Sequence, residues 1–498
     1  MMNEKADEQM KGITLLGLGP GDPHTLTRAA WDWLLQLDKL HLRTRQHPNI
    51  SGLPGHLSLV SFDDHYETAE SFEKVYAGII ETILELGRSP EGVTYAVPGH
   101  PFVAEATCPE IARRATAEGI PCQVIDGLSF LEPTFRALGV DPLPELILVD
   151  ALELALRETP GFPPSAPAII AQIYDRQTAA EVKLTLMTAY PDDHPVRLVH
   201  TAGTVAELVE DLPLHAIDHS PHLGLLSSLY VSPLSQYASF EAFQEIIARL
   251  RAPDGCPWDR EQTHLSLRPF LLEEAYEALD ALDREDLTDL AEELGDLILQ
   301  IVLHAQIASE AGDFNIHQVL EGIATKLVRR HPHVFAEVDV VGISGVTRNW
   351  EVIKAEERKE HDVPEKKGLL DGIPMALPAL SQAAEIVERV GRVGFDDFSK
   401  QDSSREMMAL IHSLEESRKD HHKETLGLLL LQAASLAHEL DIDPESALRE
   451  ALTRFRSRFS AMESHVLAEG RALADLSSEQ LENLWVQVGN QQAGEDRR

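Results

Sequence analysis

Short apolar runs of strand character recur between residues 13 and about 230 and then cease. ITLLGLGP, VTYAVPG, CQVIDG, AIIAQIY, VRLVHTAG and LGLLSSLYV are β-branched or apolar stretches that end in glycine, proline or polar turns. Amphipathic stretches such as TLTRAAWDWLLQL and TAAEVKLTLMTAY lie between several of them. That alternation suits an α/β domain with an at least partly parallel sheet. From about residue 236 to about residue 488 long helical periods dominate, broken by RAPDGCPWD and GLLDGIPMALP. The expectation is a multidomain chain: an α/β domain over 1–235, a helical domain over 236–365, a second helical domain over 366–488, and a frayed polar tail over 489–498.

At 498 residues the chain is too long for one ordinary core, which agrees with that division. It has no run of about 18 apolar residues that could cross a membrane. Its first residues, MMNEKADEQMKG, lack the apolar stretch of a signal peptide. Cys108, Cys122 and Cys256 are too scattered for a disulfide framework or a zinc pattern. A cytoplasmic location is the expectation. The formal net charge of −39 disfavours duplex nucleic acid, because phosphate backbones are held by basic surfaces. A small anionic substrate stays open if metal ions or a local basic cluster receive it.

Residues 273–296 read EEAYEALDALDREDLTDLAEELGD. The stretch predicts a helix from about Leu267 to Leu282, a break at Asp283-Arg284-Glu285-Asp286, and a second helix from Leu287 to about Ser309 capped by Asp286. The apolar stripe of the second helix includes Leu290, Leu294, Leu297, Ile301 and Ala305. So short a connection favours an antiparallel pair. Residues three apart share a helix face, so Glu274 projects with Glu277, and Glu293 with Asp296. Four converging carboxylates without a cation would repel and raise one another's pKa values. Hard oxygen donors in that number suit Mg²⁺, which also accepts phosphate oxygens. The alternative is a solvated acidic face, for which glutamate is well suited. Leu294 and Leu297 flank Gly295, whose missing side chain is expected to admit the partner helix, and that favours the metal.

Glu273-Glu274-x-x-Glu277 followed by Glu293-x-x-Asp296, preceded by Gly255-Cys256-Pro257-Trp258-Asp259, resembles the MazG family of nucleoside triphosphate pyrophosphohydrolases. The resemblance implies an all-α fold, dependence on Mg²⁺ (or Mn²⁺), and cleavage between the α- and β-phosphates. By position it implies Glu274, Glu277, Glu293 and Asp296 as metal ligands, and Glu273 as a base for the attacking water or a support behind the ligands.

Two cationic segments stand out in so acidic a chain. KLVRRHPH places Lys326, Arg329 and Arg330 on adjacent turns near a helix end that Pro332 closes. Trp350-Glu351-x-x-Lys354-x-x-Glu357-Arg358 adds cations at helical spacing beside an aromatic. A triphosphate needs cations at the leaving pyrophosphate and a flat partner for the base, which Arg, Lys and Trp supply. Favourable charge near the negative end of a helix, and an aromatic core anchor, are the plainer readings. Both segments are similar to the family's nucleotide-binding segments, which implies Lys326, Arg329, Arg330, Trp350, Lys354 and Arg358 as nucleotide contacts. The family resemblance also implies a homodimer formed through the helical domains.

Segment 368–463 resembles a second MazG copy, through LLDGIPMALPAL, VGRVGFDDFS and DIDPESALREALTRFRSRFSAME. There the ligand positions read Glu424-Thr425-Leu426-Gly427-Leu428, and Thr425 and Leu428 cannot bind Mg²⁺ as carboxylates do. This copy is expected to serve packing or dimerisation, with Leu428 joining the apolar run that follows it.

Gly17-Leu18-Gly19-Pro20-Gly21-Asp22 joins a strand to a helix, a tight turn that departs from the dinucleotide-binding fingerprint at Pro20. With AVPGHP (96–101), DGLSF (126–130) and QIYDRQTAAEVKLTL, it resembles the tetrapyrrole (corrin/porphyrin) methylases over about residues 13–232. That resemblance implies S-adenosylmethionine in a cleft bordered by Gly17, Gly19, Gly21, Gly99, His100 and Pro101. Where the family carries an acid in a G-D-P turn, this chain has His100. Three functions follow: nucleoside triphosphate pyrophosphohydrolysis, extending to non-standard nucleotides; S-adenosylmethionine-dependent tetrapyrrole methylation; and nucleotide sensing without turnover. The intact acid set favours the first over the third, and His100 weakens the second.

Overall fold

The structure, a computed structural model, describes residues 11–68, 71–336, 342, 345, 346, 349, 353, 357, 368–395, 403–416 and 421–495. Its contacts divide the chain into two compact units between Glu261 and Gln262.

The first unit opens with β1 (Ile13–Gly17), α1 (Arg28–Leu34), β2 (Lys39–Leu42), β3 (Ser58–Ser61), α2 (Asp63–Thr68), α3 (Phe72–Gly87), β4 (Val93–Val97), α4 (Thr107–Glu118) and β5 (Cys122–Ile125). The strands form one sheet in the order β3-β2-β4-β1-β5, and every pair in it is parallel. Parallel neighbours require crossovers, and most of the helices between these strands serve as such. All five residues of β1 are buried, as a parallel strand covered on both faces should be. Side chains alternate between the faces: Leu15 joins a core with Ile79, Ile83, Tyr95 and Ile111, while Leu16 joins one with Leu34, Leu40, Leu42 and Ala96.

After α5 (Leu131–Leu138) come β6 (Ile147–Asp150), α6 (Ala151–Ala155), β7 (Ala168–Ala171), α7 (Arg176–Leu186), β8 (Pro195–His200), β9 (Leu208–Pro213) and β10 (Ser227–Val231). They build a second sheet in the order β6-β7-β10-β8-β9, in which only β6 and β7 pair parallel. Its core contains Ile170, Val182, Leu186, Leu198, Leu214 and Leu229. α8 (Phe240–Arg251) and α9 (Pro257–Glu261) complete the unit. The α/β expectation therefore holds, with two sheets rather than one.

No strand follows Val231 among the described residues. The second unit begins with α10 (His264–Asp283), α11 (Leu287–Ala311), α12 (Ile316–Arg330) and α13 (Pro332–Phe335). Thr263 and Asn315 close capping boxes on α10 and α12, and the Asp286 carboxylate accepts from the backbone N–H groups of Thr288 and Asp289. Five further helices span Ala379–Arg392, Ser403–Glu416, His422–Glu439, Pro444–Ala468 and Ser478–Glu495. The last of them runs into the segment read as a tail. No described helix is long and apolar enough to cross a membrane.

Candidate functional site

α10 and α11 form the expected hairpin, and charge fastens its turn. Arg284 pairs with Asp280 at 3.0 Å and with Asp289, while the Asp286 N–H donates to the Ala281 carbonyl at 3.0 Å. The hairpin brings Glu274, Glu277 and Glu293 together: one carboxylate oxygen from each lies within 4.8 Å of the others. Glu274 and Glu293 are half-buried and Glu277 is exposed. Partial loss of solvent, then the negative charges of Asp296 and Glu277, raise the Glu274 pKa. The Glu293 pKa rises for the same reasons, desolvation first and Glu277 next. Half-buried Asp296 thus acts on the cluster through its field, and Glu273 is exposed beside it. Like charges crowded to this degree are an arrangement that a hard divalent cation relieves, and the all-oxygen donor set suits one.

Gly295 departs from expectation. A Cβ there would meet no neighbour within 4 Å among the described residues, so its missing side chain does not admit a partner helix. The apolar stripe of α11 also divides: Leu294 and Ile301 are 47% and 48% exposed, whereas Val302, Leu303, Ala305 and Ala308 are buried. On α10 the buried residues are small, Ala278 and Ala281, with Leu267. Of the expected α11 stripe, Ala305 is buried and Leu290 and Leu297 are half-buried, while Leu294 and Ile301 stay exposed.

Arg329 and Arg330 end α12 as expected, with His331 as the cap and Pro332 opening α13. Both guanidinium groups converge on Glu357. Arg330 donates from Nε to Oε1 at 3.2 Å and from Nη2 to Oε2 at 2.6 Å, and Arg329 Nη2 lies 2.6 Å from Oε1. These bonds, led by those from Arg330, lower the Glu357 pKa to about 2. Lys326 is exposed on the same helix. Trp350, Lys354 and Arg358 lie outside the described residues.

In the segment 368–463, buried Thr425 turns its hydroxyl back to the His421 carbonyl at 3.1 Å, a local bond at the start of its helix. Leu428 is 49% exposed, with Leu426 and Leu430 similarly exposed, so among the described residues it enters no core. Near its end Arg458 stacks over the Trp485 ring at 4.1 Å and donates to the Trp485 carbonyl.

In the first unit the glycine turn does close on Gly99: the Gly19 N–H donates to the Gly99 carbonyl at 3.1 Å and the Gly99 N–H to the Gly19 carbonyl at 2.9 Å. A Cβ on Gly17 would come 2.5 Å from Gly127 N, and one on Gly127 would come 2.3 Å from the Gly99 carbonyl. These glycines let three backbone segments touch. Gly21, at φ +143°, leaves the turn against Thr204 and Pro48. His100 accepts from the Phe102 N–H through Nδ1, and its Nε2 lies 3.3 Å from Asp126. The same unit holds a network with no motif to announce it. Buried Glu105 pairs with Arg43 and accepts from the Thr107 N–H at 2.9 Å, and Arg43 donates to the hydroxyls of Tyr66 at 3.0 Å and Tyr76 at 3.3 Å.

Comparison with known proteins agrees with both units. Residues 262–335 match the MazG nucleotide pyrophosphohydrolase domain, and residues 12–218 match the tetrapyrrole (corrin/porphyrin) methylases. The uncharacterized protein YabN of Bacillus subtilis is 41% identical over 483 residues, which cover 95% of this chain and 97% of that one. The nucleoside triphosphate pyrophosphohydrolase/pyrophosphatase MazG of Thermotoga maritima is 40% identical over 49% of this chain and 94% of its own length. The nucleoside triphosphate pyrophosphohydrolase of Escherichia coli K12 is 40% identical over 50% of this chain and 95% of its own length. The chain therefore belongs to the family in which a tetrapyrrole methylase domain is followed by MazG nucleotide pyrophosphohydrolase helices.

Proposed function

We propose that the helical unit hydrolyses nucleoside triphosphates to the monophosphate and pyrophosphate, with non-standard nucleotides among its substrates. The observation that carries this is the close approach of Glu274, Glu277 and Glu293, whose mutual repulsion a bound divalent cation would relieve. Glu274, Glu277, Glu293 and Asp296 hold Mg²⁺, or Mn²⁺ in its place. When bound, the ion neutralises phosphate charge and makes a coordinated water more acidic. Glu273 accepts the proton of the water that attacks the α-phosphorus. Lys326, Arg329 and Arg330 stabilise charge on the departing pyrophosphate, joined by Lys354 and Arg358, while Trp350 stacks on the base.

The same reading extends to assembly. Leu320, Ile323 and Leu327 recur along α12 at 44%, 46% and 48% exposure, a face that a second copy of the chain covers in a homodimer. The decisive experiment supplies a panel of NTPs and dNTPs with Mg²⁺ and separates pyrophosphate from orthophosphate among the products. Pyrophosphate with a nucleoside monophosphate is expected. Orthophosphate with the diphosphate, or no turnover of any nucleotide, overturns the proposal.

A further inference from the structure

The two arginines that end α12 are adjacent in sequence, and adjacent residues on a helix point about 100° apart. Left to themselves, two guanidinium groups at that angle diverge and repel. Here they meet on one carboxylate. Glu357 accepts two bonds from Arg330 and one from Arg329, and its side chain is only 12% exposed. The fork on Arg330 uses Nε and Nη2, so its Nη1 lies outside the fork.

We propose that Glu357 is a positioning residue: it gathers Arg329 and Arg330 into one rigid two-cation clamp for the terminal phosphates of the substrate. The inference rests on the triphosphate reading above and adds a residue that does not touch the phosphates itself. A carboxylate that takes only one edge of a guanidinium reduces the repulsion between the two cations. It also fixes the plane of Arg330 before the ligand arrives, so less side-chain freedom is lost on binding. Two guanidinium groups against one carboxylate leave the trio itself a net positive charge, which suits an anionic ligand.

The test compares the full-length protein with its Glu357→Gln and Glu357→Asp variants, each first checked for native helicity and melting. Two quantities are measured: KM and kcat for an NTP with Mg²⁺, and the affinity for inorganic tripolyphosphate by titration. For Glu357→Gln, KM rises and tripolyphosphate affinity falls by about tenfold, on the scale of one lost charge-assisted bond. kcat falls less than KM rises, and Glu357→Asp recovers part of the affinity. Tighter tripolyphosphate binding by Glu357→Gln would show that the carboxylate competes with phosphate and overturn the inference. So would unchanged binding and KM, with the pyrophosphohydrolase reading left standing. If the unaltered protein neither binds nor cleaves any triphosphate, that reading fails and the inference fails with it.

Discussion

Arg449, on the helix Pro444–Ala468, lies over the ring of Tyr276 at 5.2 Å and 3.7 Å from the carboxylate of Asp283. Tyr276 sits between Glu274 and Glu277 in sequence, so the Pro444–Ala468 helix braces the helix that carries those acids. Both members of the Arg449–Asp283 pair are largely shielded, at 23% and 20% exposure. Arg449→Ala should therefore destabilise the helical unit by about 1 kcal/mol, from the cation–π contact and the ion pair together. Urea unfolding followed by circular dichroism measures it, and the same variant should need more Mg²⁺ for half-maximal turnover.

Removing a carboxylate from the cluster should separate chemistry from folding. Glu274→Ala and Asp296→Ala should each abolish NTP hydrolysis, by at least about a hundredfold, with helicity intact. Undiminished turnover in either purified variant would remove those residues from the site.

The raised pKa values of Glu274 and Glu293 fix the sign of a pH effect. Each carboxyl binds its proton more tightly when folded than when unfolded. The cation-free protein thus gains stability from this cluster at acid pH and loses it as pH rises through the raised values. A divalent cation reverses the loss, so the melting-temperature increase on adding Mg²⁺ should be larger at about pH 8 than at about pH 5. Without the ion, Glu293→Gln should melt at a higher temperature than the unaltered protein. Differential scanning calorimetry at both pH values, with and without chelator, tests both statements.

His41 and His47 give the opposite sign in the first unit. Burial lowers both to about 4, so the unfolded chain takes up their protons first as pH falls. Their contribution is full above the ordinary histidine range near pH 6.5 and is lost as pH falls towards about 4. Melting of the first unit should weaken over that interval, and a His41→Asn/His47→Asn variant should show a shallower slope.

Gly17→Ala should be costly although the added group is a single methyl. Its Cβ would stand 2.5 Å from Gly127 N, and a backbone atom cannot swing aside as a side chain can. About 1–3 kcal/mol of stability should be lost in chemical denaturation. Gly295→Ala, with open space around it and a better helix former, should be neutral or stabilising.

Local chemistry made much of this legible. The Asp286 cap, the break before it and the stop at Pro332 are written in single residues whose bonding does not depend on distant partners. The acid spacing was readable because 3.6 residues per turn allows few alternatives. What escaped detection depends on tertiary neighbours. β2 and β3 have four residues each, too short for a pattern, and β9 carries Glu210 and Asp211 as an edge strand can. Which face of α11 packs is not legible at Gly295 and Leu294, since leucine signals burial without naming what covers it. The convergence of Arg329 and Arg330 on Glu357 spans 27 residues from Arg330, and no periodicity links them.

The contact of Gly17, Gly99 and Gly127 has one more consequence. Because bare backbone meets bare backbone there, selection for folding alone would keep side chains out, whether or not any ligand ever visits the crevice. A lineage could abandon its ancestral chemistry and still carry these glycines unchanged. Their presence therefore speaks for the packing of the turn, and what occupies the crevice has to be read from ligand binding itself.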